Sequence, residues 1–137
     1  MSRREAREKA VQVLYQLDLT EVEVEAAMQT VLEEDTTFQE IAFLEQLVMG
    51  VRSHQAKLDQ AIQRYLRDWT FERLAPVDRA VLRIAAYEIL YLADEIPGKV
   101  SLNEALELTR SFGMEQSVKY INGVLANLVE GIKVGDE

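Results

Sequence analysis

Glu88 is the residue best placed to be a buried acid. At about 100° per residue it projects from the apolar arc of Val77, Val81, Ile84 and Leu92. A general acid would need such a carboxyl, together with a cleft and a reacting partner. The alternative, and the favoured reading, is a carboxylate satisfied by a basic side chain or a neighbouring helix N-terminus. The one histidine, His54, has no cysteine to join it, because the sequence has none. A catalytic triad and a histidine-based zinc site therefore have no support, and thiolate chemistry is excluded. No glycine-rich phosphate loop occurs. The acidic run Glu33-Glu34-Asp35 reads as a solvated loop. The expectation is a chain with no catalytic residue, no metal and no cofactor.

Two stripes suit recognition better. Arg4, Arg7, Val11 and Tyr15 fall within an arc of about 80° on a first helix, away from the centre of an Ala6–Ala10–Val13–Leu17 core stripe. Guanidinium groups bind phosphate bidentately, and an aromatic face can stack on an unpaired base. The competing reading is a wide core face with solvated arginines around it. On a last helix, Gln116, Lys119 and Gly123 lie opposite the apolar Val118, Ile121, Val124, Leu125 and Leu128, with Tyr120 on the flank. Gly123 costs its helix about 1 kcal/mol relative to alanine, so close approach of another backbone is expected there.

The elements that position these stripes are all helical. Ser2-Arg3-Arg4-Glu5 reads as a capping box opening a helix to about Asp18. A second helix spans about Val22 to Glu33. Thr37-Phe38-Gln39-Glu40 caps a third, with Ile41, Leu44, Leu47, Val48 and Val51 inward. Leu58, Ala61, Ile62, Tyr65 and Leu66 mark a fourth, and Asp68 to Ala75 is a connection with room for one short turn. Pro76 suits the first position of a central buried helix reaching about Ala93. Ile96-Pro97-Gly98 reads as a turn, and Ser101-Leu102-Asn103-Glu104 as the capping box of a helix ending at Gly113. The last helix covers about Glu115 to Glu130, with a short polar tail from about 132. The expected fold is all-α, one compact domain over residues 1–137.

Charge is distributed unevenly. The net −9 argues against a generic nucleic-acid binder. Residues 1–9 nevertheless hold four basic side chains against two acidic ones, whereas residues 10–51 hold nine acids and no Lys or Arg. An acidic average can hide a local phosphate-binding patch. No apolar run follows the N-terminus, and none approaches the roughly 20 residues a membrane span needs. A soluble, cytoplasmic protein without membrane contact is expected.

Several linked motifs resemble the NusB family. These are Arg3-Arg4-Glu5-Ala6-Arg7-Glu8-Lys9-Ala10-Val11-Gln12-Val13-Leu14-Tyr15, Arg79-Ala80-Val81-Leu82-Arg83-Ile84-Ala85-Ala86-Tyr87-Glu88-Ile89, and Ile96-Pro97-Gly98-Lys99-Val100-Ser101-Leu102-Asn103-Glu104-Ala105. Ser111-Phe112-Gly113 and Ile121-Asn122-Gly123-Val124-Leu125 continue the match. Order, spacing and length agree over essentially the whole chain. The resemblance implies about seven helices in two packed bundles, and a bacterial transcription antitermination factor that binds boxA RNA together with NusE, a ribosomal small-subunit protein. Such a pair acts in the RNA polymerase antitermination complex, notably on ribosomal RNA operons, and some members form homodimers.

Carried over by position, Arg3, Arg4 and Arg7 look like one RNA-contacting segment, and Gln116, Lys119 and Tyr120 like another. Tyr15, Asp78 and Arg79 are similar to positions facing NusE. Gln116 stands where some relatives have an acid, and Tyr120 where phenylalanine occurs. On this reading Arg7→Ala weakens RNA binding and leaves the fold intact, while Asp78→Lys impairs NusE docking first. The alternative function is a protein-only helical interaction module. An RNA methyltransferase role, which the resemblance also touches, lacks both a catalytic domain and a cysteine nucleophile.

Overall fold

A computed structural model describes residues 2–133, with the side chains of residues 3–131. It holds seven α-helices and two 3₁₀ turns, with no strand among the described residues. Helices α1 (Ser2–Leu19), α2 (Val24–Val31) and α3 (Phe38–Ser53) form a first bundle. Helices α4 (Gln55–Arg64), α5 (Pro76–Tyr91), α6 (Gly98–Ser111) and α7 (Val118–Lys133) form a second. The bundles meet where α5 packs on α1 and α3, and one hydrophobic core runs through both.

Helix ends follow local chemistry. Thr37 caps α3 by accepting from the Glu40 amide, although the Glu40 carboxylate accepts from Lys9 Nζ at 3.0 Å rather than reaching back. Pro76 opens α5 at its first turn, and Phe71–Arg73 supplies the short turn expected before it. Gly113 closes α6 in the left-handed region at φ 78°, where a Cβ is penalised. Ser2 of the proposed N-terminal box and the polar tail beyond 133 lie outside the described side chains and residues.

Two boundaries differ from expectation. Helix α6 begins at Gly98 with Pro97 as its N-cap, three residues before the Ser101 box. Proline costs nothing there, because an N-cap amide has no helical partner to lose; its carbonyl accepts from the Val100 and Ser101 amides. Ser101 thus sits inside the first turn, and its hydroxyl is available for another use. The last helix opens with the 3₁₀ turn Glu115–Ser117 and continues to Lys133, past the expected Glu130.

Helix α5 is buried on nearly every side, as its sequence requires, yet it carries Asp78, Arg83 and Glu88 inward. Arg83 pairs with Asp59 at 2.8 and 2.9 Å and lies over the Phe71 ring. Close approach of α3 and α5 rests on Gly50, where a Cβ would fall 2.1 Å from Cζ of Tyr87.

Candidate nucleic-acid interface

The arginine-rich start of α1 divides into two kinds of side chain. Arg7 is 4% exposed and meets Glu88 in a bidentate pair, Nε to Oε2 at 2.7 Å and Nη2 to Oε1 at 2.9 Å. Ser101 donates to the same Oε1 at 2.7 Å, and the Phe43 ring lies 5.4 Å from the guanidinium carbon. Glu88 is therefore satisfied by a basic side chain and by the first turn of α6, as its position on α5 suggested. Arg7 does not share a solvent-facing stripe with Arg4; Val11, also in that stripe, is 1% exposed. The expectation of an exposed Arg7 is corrected, because α1 packs against α2, α3 and α5 and buries a wider arc than the four-residue stripe implied.

Arg3 and Arg4 are exposed. Arg4 makes its own bidentate pair with Glu104 at 3.0 and 2.9 Å, and Arg3 lies over Phe43 at 4.6 Å. The hydrogen bond from Arg4 holds the Glu104 carboxyl below its ordinary range, against the opposing effect of burial. An open groove of about 550 Å³ runs along Arg3, Arg4, Arg7, Glu5, Glu8 and Glu104. A phosphate entering it would compete with Glu104 for the Arg4 fork.

The second stripe centres on the start of α7. Gln116 and Lys119 are exposed. Tyr120 is half-buried and donates to Asp78 Oδ2 at 2.5 Å; Ser117 Oγ donates to the same oxygen at 2.6 Å. Burial and then this hydrogen bond push the Tyr120 hydroxyl well above its usual range. Asp78 is only 3% exposed, so it is not the surface charge a docking protein would meet first; the side chains of the α7 start cover it. Its other oxygen, Oδ1, is buried with no hydrogen-bond partner. Around it lies a groove of about 350 Å³ lined by Trp69, Arg73, Gln116, Ser117 and Tyr120. Trp69 is 57% exposed and was missed from the sequence, where a lone tryptophan in a connection is its only signal. A Cβ added at Gly123 would meet no atom within 4 Å, so close approach within the chain does not explain this glycine.

Tyr15, 40% exposed, borders an apolar groove of about 460 Å³ with Gln12, Thr30, Val31, Val77 and Phe112. Arg79 is held nearby by Asp18 at 3.0 and 2.7 Å and by the carbonyls of Glu72 and Leu74.

The family model described as NusB family matches residues 4–130. The chain belongs to the NusB family. It is similar to the transcription antitermination protein NusB of Bacillus subtilis, 47% identical over 133 residues, which is 97% of this chain and 98% of that one. The protein of the same name from Bacillus licheniformis is 49% identical over 128 residues, 93% of this chain and 96% of that one. Among solved structures, T. maritima NusB superposes with a TM-score of 0.87 at 30% identity, covering 95% of this chain and 92% of that one. A structure of the antitermination factors NusB and NusE in complex with dsRNA gives 0.84 at 26% identity, covering 95% and 97%.

In this NusB fold the two arginine- and tyrosine-bearing regions sit at opposite ends of α5. Asp78 and Glu88 are ten residues apart, about 15 Å along the helix. Among the described residues no cluster of His, Cys, Asp or Glu could hold a metal ion, and no helix is long and apolar enough to cross a membrane.

Proposed function

We propose that this chain is a transcription antitermination factor that binds boxA RNA together with NusE. In that role it works by binding rather than catalysis, in the cytoplasm, within the RNA polymerase antitermination complex of ribosomal RNA operons. The observation that carries this reading is near full-length similarity to proteins named transcription antitermination protein NusB. A likeness to NusB bound with NusE and dsRNA supports it.

Arg3 and Arg4 supply the phosphate contacts at one end of α5, and Gln116, Lys119 and Tyr120 the contacts at the other. Arg7 acts as a positioning residue, fixing the first turns of α1 to α5. Tyr15, on the apolar groove, and Arg79, paired with Asp18, face NusE, and the acidic segment 10–51 favours such a cationic partner over free nucleic acid. The same groove offers a surface for a homodimer. With few phosphate contacts, RNA affinity falls with salt, and NusE raises it, since coupling acts in both directions.

Titration of labelled boxA RNA at two salt concentrations, with and without NusE, tests this. Tighter binding to boxA than to a scrambled RNA, strengthened by NusE, is expected. No preference under any condition would leave the chain a protein-only interaction module.

A further inference from the structure

Asp78 is the one buried side chain whose hydrogen bonding is left incomplete among the described residues. Oδ2 is fully used by Ser117 and Tyr120, while Oδ1 has no donor. A buried acceptor without a donor is costly, and Glu88, with donors on both oxygens, shows how this fold satisfies a carboxylate that stays closed. Asp78 also lies on the floor of a groove with a distinctive rim. Trp69 offers an exposed indole, Tyr120 a half-buried ring, Gln116 an amide and Arg73 an exposed guanidinium. At about 350 Å³ the groove is near the small end of ligand sites, roughly 300–1,000 Å³.

We infer that this groove is a base-reading pocket of the RNA site: it takes one unstacked nucleobase with an exocyclic amine and rejects uracil. The inference rests on the RNA-binding reading above and adds sequence discrimination to it. An aromatic face stacks any base. A carboxylate oxygen at the floor accepts an N–H, as acidic side chains do from cytosine N4. Adenine, cytosine and guanine each bring an amine hydrogen to Oδ1. Uracil's one edge donor lies between two carbonyls, which would be pressed against the carboxylate. Arg73 at the rim is placed for the adjoining phosphate. Oδ1 is not reached by bulk water in the free chain, so entry requires a shift of the side chains that line the groove.

Trp69 is the only tryptophan, so its emission reports on this pocket alone. The experiment titrates the full chain with fluorescein-labelled boxA RNA and with a series in which each base in turn is replaced by uracil or by an amine-bearing base. RNA binding is read from fluorescein anisotropy, and pocket occupancy from Trp69 emission. Trp69 is expected to be quenched on binding, and at one RNA position uracil should weaken binding by roughly 5- to 150-fold. In Asp78→Asn, whose amide can donate to a uracil carbonyl, that penalty should shrink to about twofold or less. Trp69→Ala, made at an exposed side chain, should weaken every sequence roughly 5- to 100-fold and keep the preference. RNA binding with unchanged Trp69 emission, or an undiminished uracil penalty in a helical Asp78→Asn, would overturn the pocket and leave the RNA reading standing. Absence of any RNA binding by anisotropy would overturn both. Should Asp78→Asn unfold, the quenching and Trp69→Ala measurements decide alone.

Discussion

The two ends of α5 each bury a carboxylate, and they treat it differently. At the Glu88 end, Arg7 and Ser101 fill both oxygens, and the charge is neutralised within the fold. At the Asp78 end two hydroxyls crowd one oxygen, no cation among the described residues pairs with the carboxylate, and the other oxygen is left over. A closed ion pair ties helices together, whereas a carboxylate met only by hydroxyls leaves an acceptor beside a groove. Burial alone does not separate the two, since Asp78 and Glu88 are almost equally hidden; the count of donors does.

The largest effect should come from breaking the closed end. Arg7→Ala leaves Glu88 buried without its counter-charge and should cost about 3–5 kcal/mol of stability, read as a drop in the urea midpoint. A midpoint equal to wild type would mean that the pair is not a strut, and would restore Arg7 to the surface role first expected of it. Next, Gly50→Ala pushes a methyl into the Tyr87 ring, one residue from Glu88, and should cost about 1–3 kcal/mol in the same assay. It should also disturb the stacking of Tyr87 and His54 on Tyr91, visible in near-ultraviolet dichroism.

The open end should respond more weakly, and its response should depend on pH at the alkaline end. Tyr120→Phe removes one of two donors to Asp78 and should cost about 1 kcal/mol near neutral pH. The Tyr120 hydroxyl titrates higher in the folded chain than its ordinary 10.0. Above pH 10 the unfolded tyrosine therefore loses its proton first, and stability falls as pH rises. The advantage of wild type over Tyr120→Phe should shrink between pH 10 and 12; a constant difference would sever Tyr120 from Asp78. The smallest effect belongs to the exposed Arg4–Glu104 pair. Glu104 titrates below its ordinary 4.5, so its contribution is present above that pH and fades as the carboxylate is protonated on acidification. Comparing Glu104→Gln with wild type from pH 6 to 3 should show a slight gap that closes.

Much of the fold was legible because helix signals are local. Pro76, Thr37 and Gly113 each mark a boundary by their own backbone chemistry, and all three stand where expected. Pro97 misled, because a turn residue and an N-cap look alike until the following amides find its carbonyl. The candidate site was less legible. A helical wheel ranks directions around one axis, but α1 is packed against α2, α3, α5 and α6, so Arg7 and Val11 fall inside although they stand off the main stripe. Trp69 escaped because a connection has no periodicity to read. By sequence Glu88 reads as the buried acid and Asp78 as a partner-facing position; only the arrival of Ser117 and Tyr120 from elsewhere shows that Asp78 is buried as well.

The Arg7–Glu88 contact spans 81 residues of sequence. During synthesis from the N-terminus, α1 is therefore made long before the carboxylate that accepts its arginine, and longer still before Ser101. Loop closure over that span must precede the reward. The first helix can form its own turns early, but its charged start cannot be locked into place until α5 and the opening of α6 have been translated. Completion of the groove lined by Arg3, Arg4 and Glu104 is thereby a late event in the life of the nascent chain, and a truncated product ending before α6 would carry the arginines without the frame that holds them.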